Sequence, residues 1–65
     1  MEKYVVVGNC NGETVYWNKD RKGWYIHQYD ATVYDDVEKA NTASEIAEVT
    51  LTVECVENIT FKKIN

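Results

Sequence analysis

The side chains that could act as nucleophiles, general bases or metal ligands are few in this chain of 65 residues. The single histidine, His27, has no neighbouring motif for a cysteine or serine nucleophile, and no glycine-rich phosphate loop is present. Cys10 and Cys55 are too far apart for a CxxC zinc or redox motif. A tetrahedral zinc site would therefore need carboxylates or a second chain. A domain of this size also has little room for a cleft of roughly 300 Å³ or more. We expect no catalytic residue, no metal and no cofactor, and a binding protein rather than an enzyme.

The thiol state and the compartment follow from the beginning of the chain. Met1 to Tyr4 lack the basic and apolar regions of a secretion signal. The longest apolar run, Val5 to Val7 after Tyr4, is far shorter than the roughly 20 residues that span a bilayer. We therefore expect no membrane segment, a cytoplasmic location, and two reduced, structurally passive thiols at Cys10 and Cys55.

Carboxylates are concentrated in one part of the sequence. Residues 30–57 carry a net charge of −7, whereas residues 1–29 carry +1. Such an array of acids could cover a basic surface on another protein, with tyrosines as anchors at the centre of the interface. The alternative is a solvated helix face without a partner. The candidate partner-binding residues are Tyr29, Tyr34, Asp35, Asp36, Glu38, Glu45 and Glu48.

Aromatic rings surround a short charged cluster in "ETVYWNKDRKGWYIHQY", residues 13–29. Tyrosines on a sheet face can stack nucleic-acid bases, which would make this stretch a surface for single strands. The net charge of −4 argues against direct nucleic-acid binding, because phosphates would be repelled. This alternative surface comprises Tyr16, Tyr25, Lys19, Arg21 and Lys22.

The elements that position these residues begin with an antiparallel meander of three strands over residues 4–28. Strict alternation places Val15 and Trp17 on one face and Tyr16 on the other. The same rule places Trp24 and Ile26 in the core, with both tryptophans more than about 80% buried. Residues 19–23 form the loop between the second and third strands, and Gly23 can adopt a positive φ there.

A helix follows over about residues 36–48. Asp35 is expected as its N-cap, with Glu38 completing a capping box. Its apolar stripe is narrow and built mainly from small residues: Val37, Ala40, Ala43 or Ser44, and Ala47, with Ile46 beside them. Poor helix formers at 41–44 leave open a break with a second start at Thr42 or Ser44.

Alternating apolar residues from Leu51 to Phe61 predict a C-terminal strand that is interrupted at Glu57. Either one long strand carries a bulge near Glu57 and Asn58, or two short strands meet there. The chain is thus predicted to be a single α+β domain, residues 1–65, in the order β-β-β-α-β. An exposed final strand could also pair with a second copy, so a homodimer is a further alternative.

The stretch "ETVYWNKDRKGWYI", followed by "ATVYDDVEKA", is similar to a pattern in many short phage and prophage proteins. That pattern is a tryptophan-bearing hairpin, an Ala-Thr-x-aromatic segment and a helix, and here it covers residues 13–40. The resemblance implies a small phage accessory protein of the anti-CRISPR or other anti-defence type. Such a protein would act in the host cytoplasm by binding and inhibiting a host nucleic-acid-handling protein.

Overall fold

Residues 2–49 and 56–65 are described by the structure, a computed structural model of the chain. They form one antiparallel sheet of strand order β3-β2-β1-β4, with one helix packed on it. This confirms the predicted α+β architecture. The elements are β1 (Tyr4–Cys10), β2 (Glu13–Asn18), β3 (Gly23–Tyr25), a short 3-10 helix (Gln28–Asp30), α1 (Val37–Val49) and β4 (Val56–Lys63).

The turns that connect the first three strands use left-handed backbone positions. Asn11 and Gly12 have φ of 53° and 87°, as a two-residue hairpin of type I′ requires. In the second connection the positive φ belongs to Lys22, at 52°. The expectation that Gly23 would take this conformation is therefore wrong; Gly23 already belongs to β3.

The sheet divides its side chains between a helix face, covered by α1, and an open face. Trp17 lies directly opposite Trp24, and Tyr16 opposite Tyr25. Residues opposite one another in an antiparallel pair project to the same side of the sheet. Trp17 belongs to the core cluster, so both tryptophans lie on the helix face. The two tyrosines lie on the open face, as the alternation predicts.

The core does not continue beyond the end of the third strand as predicted. Trp17 is 4% exposed, but Trp24 is only partly buried, with its ring centroid 5.4 Å from that of Trp17. Ile26 is 61% exposed, so its assignment to the core is wrong. The reason is that β3 ends at Tyr25 and the chain bends into the 3-10 helix. Alternation beyond the end of a strand no longer predicts which face a side chain occupies.

The buried stripe of α1 consists of small residues, Ala40, Ala43, Ser44 and Ala47. Small side chains permit close approach of the helix to the sheet. Val37 and Ile46, expected in or beside this stripe, are 45% and 52% exposed. The helix is continuous from Val37 to Val49.

The helix begins one residue later than predicted. The Glu38 amide donates to Asp36 Oδ1 at 2.7 Å, and the Ala40 amide donates to the Asp36 carbonyl at 3.0 Å. Asp36 is therefore the N-cap, and Asp35 precedes it. This shift removes the predicted capping box, because Lys39 rather than Glu38 occupies the third helical position.

A bulge interrupts β4 near Glu57 and Asn58, where the sequence predicted either a bulge or a break between two strands. Val7 pairs with Thr60, but Asn9 pairs with Glu57, so one extra residue lies opposite β1. Asn58 adopts φ of 57° at this point. The extra residue changes which positions face the helix, and Val56 is therefore buried on the side of α1. Residues 51–55, the beginning of the predicted C-terminal strand, lie outside the described residues.

Cys10 is disulfide-bonded, and the expectation of a reduced thiol at this position is wrong. The sequence has one other cysteine, Cys55, which lies outside the described residues. The thiol state was predicted from the presumed compartment, whereas geometry decides whether two cysteines can bond. Within residues 2–49 and 56–65, no helix has the length and apolar character needed to cross a membrane.

Candidate functional site

The acidic surface of the protein lies on the outer side of α1. Glu38, Glu45 and Glu48 are all exposed. A helix turns about 100° per residue, which places these three side chains within an arc of about 80°. Among the residues that the structure describes, none of the three carboxylates forms an ion pair. We call Glu38, Glu45 and Glu48 the acidic surface.

The two aspartates predicted for the same site have local partners instead. Asp35 pairs with Lys39 at 3.6 Å, and both side chains are largely exposed. Asp36 uses a carboxylate oxygen to cap the helix. Part of the charge or hydrogen-bonding capacity of these two aspartates is therefore already engaged within the chain.

Glu57 lies near Glu48 of the acidic surface, although it was not among the predicted site residues. Glu48 and Glu57 line the same shallow cleft of about 350 Å³ between α1 and β4. The bulge at Asn58 lies in the same cleft. The polar interruption at position 57 in the alternating pattern was the signal in the sequence that could have indicated this placement.

Tyr29, one of the two predicted tyrosine anchors, lies on the 3-10 helix rather than beside α1. Tyr29 is 82% exposed and stacks on His27, with centroids 4.9 Å apart and planes 9° apart. The 3-10 helix that carries Tyr29 is fastened to β2, where Asn18 Nδ2 donates to the Asp30 carbonyl at 2.7 Å. Asn18 lies on the open-face side of β2, since it is two residues from Tyr16. The segment that carries Tyr29 is thus held to β2 by a side chain of the open face.

Tyr34 is buried, 8% exposed, and offers no ring to a partner's surface. Its backbone exchanges two hydrogen bonds of 2.8 Å with Tyr4, which extends the sheet. Burial raises the pKa of its hydroxyl, and the negative charge of Asp20 adds to this effect. The Thr32 hydroxyl acts in the opposite direction, but no hydrogen bond of normal geometry reaches the Tyr34 hydroxyl among the described residues.

The predicted alternative surface divides into two parts. On the open face, Lys62 Nζ lies 5.6 Å from the Tyr16 ring centroid, and the Arg21 guanidinium lies 5.5 Å from that of Tyr25. These distances are within the range of cation–π attraction. Lys62 was not in the predicted set. Arg21 also approaches Asp30, at 3.8 Å.

Lys19 and Lys22, the other members of that set, line a groove between α1 and the loop that joins β2 to β3. The groove has a volume of about 810 Å³. Its apolar lining comes from Trp17, Tyr34, Ala43 and Ile46. The expectation that so small a domain has little room for a cleft of roughly 300 Å³ or more is therefore wrong.

A charged cluster closes the end of β1 opposite the hairpin turn. Lys63 Nζ lies 2.9 Å from Glu2, and the Tyr4 hydroxyl donates to Glu2 at 3.1 Å. These contacts, led by the hydrogen bond from Lys63, lower the pKa of Glu2, and the same bond raises the pKa of Lys63. Burial is the main cause that raises the pKa of Tyr4. The cluster fastens the chain end to β4 and shows no arrangement for catalysis.

Comparisons with known proteins give no match to a family model, a curated protein sequence or a solved structure. The likeness of residues 13–40 to phage proteins therefore stays a prediction. Among the described residues, no three histidine, cysteine, aspartate or glutamate side chains lie together as metal ligands would.

Proposed function

We propose that this protein is a small protein-binding module whose acidic surface meets a basic surface on a nucleic-acid-handling protein. The observation that carries the proposal is the exposure of Glu38, Glu45 and Glu48 on one side of α1 without an ion pair in the described part of the chain. In the phage context implied by the sequence resemblance, the partner would be a host defence protein such as a CRISPR effector, and binding would inhibit it.

The physical basis is competition with phosphate. A channel that holds nucleic acid presents lysines and arginines, and a compact set of carboxylates can occupy the same positions. Opposite charges also accelerate the encounter of the two proteins, and this acceleration is screened beyond about 8 Å at physiological ionic strength. Raising the salt concentration should therefore slow association more than it speeds dissociation.

Apolar contact at such an interface would come from the helix itself. Val37 and Ile46 are 45% and 52% exposed and lie on the two flanks of the helix that carries the acids. Interfaces need a desolvated apolar centre as well as charge, because exposed ion pairs contribute little affinity alone. These two residues replace Tyr29 and Tyr34 as the proposed anchors.

The disulfide at Cys10 conflicts with a cytoplasmic location, because the cytosol keeps most thiols reduced. Binding should therefore be measured with and without reductant. If the reduced protein loses its fold and its partner together, the cytoplasmic part of the proposal is wrong while the acidic surface remains a candidate interface elsewhere.

The test is charge reversal with a matched control. Glu45→Lys/Glu48→Lys changes the acidic surface, and Glu13→Lys/Asp20→Lys makes the same change of net charge on exposed residues of the hairpins. Each protein is immobilised and used to capture partners from nuclease-treated host lysate. We expect wild type and the hairpin variant to capture a nucleic-acid-handling protein that the acidic-surface variant does not.

The captured partner is then purified, and its binding to nucleic acid is measured with free wild-type protein as competitor. Competition supports inhibition by occupation of the basic surface. If both double variants capture the same partner equally well, the glutamates are only a solvated helix face and the proposal fails.

A second candidate function is single-stranded nucleic-acid binding on the open face. The specific observation is that the paired rings of Tyr16 and Tyr25 each have a cation beside them, Lys62 and Arg21 respectively. The acidic surface lies on the other side of the sheet, so the net charge of −4 overstates the repulsion at this face.

This alternative is tested with a fluorescently labelled oligo-dT strand at low salt. Stacking on each ring is worth about 1–3 kcal/mol, so Tyr16→Ala/Tyr25→Ala, which removes both rings, should weaken binding by about thirtyfold or more. Ile46→Ala, which truncates an exposed side chain of α1 on the other side of the sheet, serves as the control. Absence of wild-type binding at low salt would remove the alternative.

A further inference from the structure

We propose that the groove between α1 and the β2–β3 loop is a binding site for a small amphipathic anion, an apolar body that carries one carboxylate. The groove shares Glu38 and Ile46 with the proposed protein interface, but its ligand would be held by Lys19 and Lys22, so this proposal goes beyond the proposed function. The proposal rests on the shape of the groove, on its apolar lining, and on the distribution of charge along it.

The size and lining of the groove suit a small molecule. Its volume of about 810 Å³ falls within the roughly 300–1,000 Å³ of typical ligand sites. Trp17 supplies a large, flat and rigid wall that is 4% exposed, and Ile46 forms an apolar rim that is 52% exposed. An apolar ligand body in this position would cover Ile46 and remove its surface from water.

Charge differs between the two sides of the groove. Lys19 and Lys22, on the loop side, are exposed and form no ion pair within the described residues. On the helix side, Lys39 is paired with Asp35, and Asp36 caps the helix. The cations available to a ligand are therefore on the loop side.

Glu38 and Asp36 line the helix side and decide what kind of anion can enter. Their negative charges would repel a polyanion that extended along the groove, such as a nucleic-acid strand. A ligand with one anionic group can place that group beside the lysines and keep its uncharged body near the helix. The groove therefore favours a single carboxylate over a chain of phosphates.

The Tyr34 hydroxyl is a third feature at the loop side. Tyr34 lines the groove, is only 8% exposed, and its hydroxyl has no hydrogen-bond partner among the described residues. Tyr34 lines the same groove as Lys19 and Lys22, and the negative charge of Asp20 adds to the effect of burial in raising the pKa of its hydroxyl. A carboxylate held by the lysines would offer this hydroxyl an acceptor within the same groove, whose lining holds three lysines against the two acids Asp36 and Glu38.

The experiment compares octanoate with octanol, which share an apolar chain and differ in charge. Binding is followed by titration of ¹⁵N-labelled wild-type protein with NMR, and by the fluorescence of the tryptophans. We expect saturable octanoate binding with a Kd in roughly the millimolar range, because so small a ligand makes few contacts. The chemical-shift changes should be concentrated at residues that line the groove. Octanol should bind about tenfold more weakly, since it lacks the charge-assisted contact.

The variants separate the groove from general electrostatics. Lys19→Gln/Lys22→Gln should weaken octanoate binding about tenfold and leave octanol binding unchanged, whereas Lys3→Gln/Lys62→Gln, an equal change of charge on exposed residues elsewhere, should alter neither. Tyr34→Phe should fold at least as stably as wild type, because it removes an unsatisfied buried hydroxyl, and should bind octanoate several-fold more weakly.

Three results would overturn the proposal. One is octanol binding as tightly as octanoate, which would make the groove merely apolar. Another is an equal loss of octanoate binding in Lys19→Gln/Lys22→Gln and Lys3→Gln/Lys62→Gln, which would make the attraction nonspecific. The third is no saturable binding of octanoate to folded wild-type protein.

Discussion

Gly8 is the position in the sheet where the structure leaves no space for a side chain. A Cβ atom at this residue would lie 2.5 Å from Val56 Cγ1 and 3.3 Å from Cζ3 of the Trp24 ring. Separations under 3.0 Å require one of the groups to move. Val56 is 6% exposed and branched at Cβ, so it cannot rotate into solvent without leaving its buried position.

The expected cost of Gly8→Ala follows from two opposing effects. Replacing a strand glycine with alanine stabilises the fold by about 0.5–1 kcal/mol, because the unfolded chain loses freedom. Forcing a methyl group into a packed region costs about 1–3 kcal/mol. The short distance to Val56 makes the steric cost outweigh the entropic gain. We expect a net destabilisation of about 1–2 kcal/mol, a large share of the roughly 3–5 kcal/mol that so small a core supplies.

Urea unfolding followed by tryptophan fluorescence measures this cost. With a slope near 1 kcal/mol per M for a small domain, the midpoint should fall by about 1–2 M. Gly23→Ala is the matched control, because its nearest contact would be 3.6 Å away, an ordinary van der Waals distance. Gly23→Ala should be neutral or slightly stabilising.

A double variant tests the assigned cause. Val56→Ala removes the methyl group that the new Cβ would meet, so Gly8→Ala should cost less in the Val56→Ala background than in wild type. If Gly8→Ala is as stable as wild type, or if the two substitutions are additive, the close packing of β1 against β4 and Trp24 is refuted.

Three further predictions concern the helix start, the chain end and Cys10. Asp36→Ala should cost about 0.5–2 kcal/mol in urea unfolding because it removes the N-cap, whereas Asp35→Ala should cost under about 0.5 kcal/mol; equal costs would contradict the cap assignment. The pKa of Glu2 is lowered in the folded protein, so its ion pair should stabilise the fold above the unfolded pKa of Glu2, and this stabilisation should be lost as the pH falls through the folded pKa. The pKa of Lys63 is raised in the folded protein, so the stabilisation from Lys63 should be lost as the pH rises through the folded pKa of Lys63. Glu2→Gln should flatten the acid limb of the measured pH profile, and an unchanged limb would contradict the pairing. Cys10, being disulfide-bonded, should resist alkylation until a reductant is added, and labelling without reductant would show that the thiol is free.

The local periodicities of the sequence determined the architecture and the two faces of the sheet. Alternation in β2 separated Trp17 from Tyr16, and the registers with β3 confirm that separation. The polar interruption near Asn58 indicated the bulge that the structure contains. These features are set by the backbone period of a strand, which a short window of sequence contains in full.

What the tertiary structure alone decided is which residues meet across long distances in the sequence. Tyr34 is buried because its backbone pairs with Tyr4, and Ile26 is exposed because β3 ends before it. Lys19 and Arg21 belong to one loop but lie at different surfaces. Lys19 lines the groove beside α1, whereas Arg21 lies over the Tyr25 ring on the open face. Burial and charge pairing depend on where distant elements end and pack, and this information is spread over the whole chain rather than held in any one segment of it.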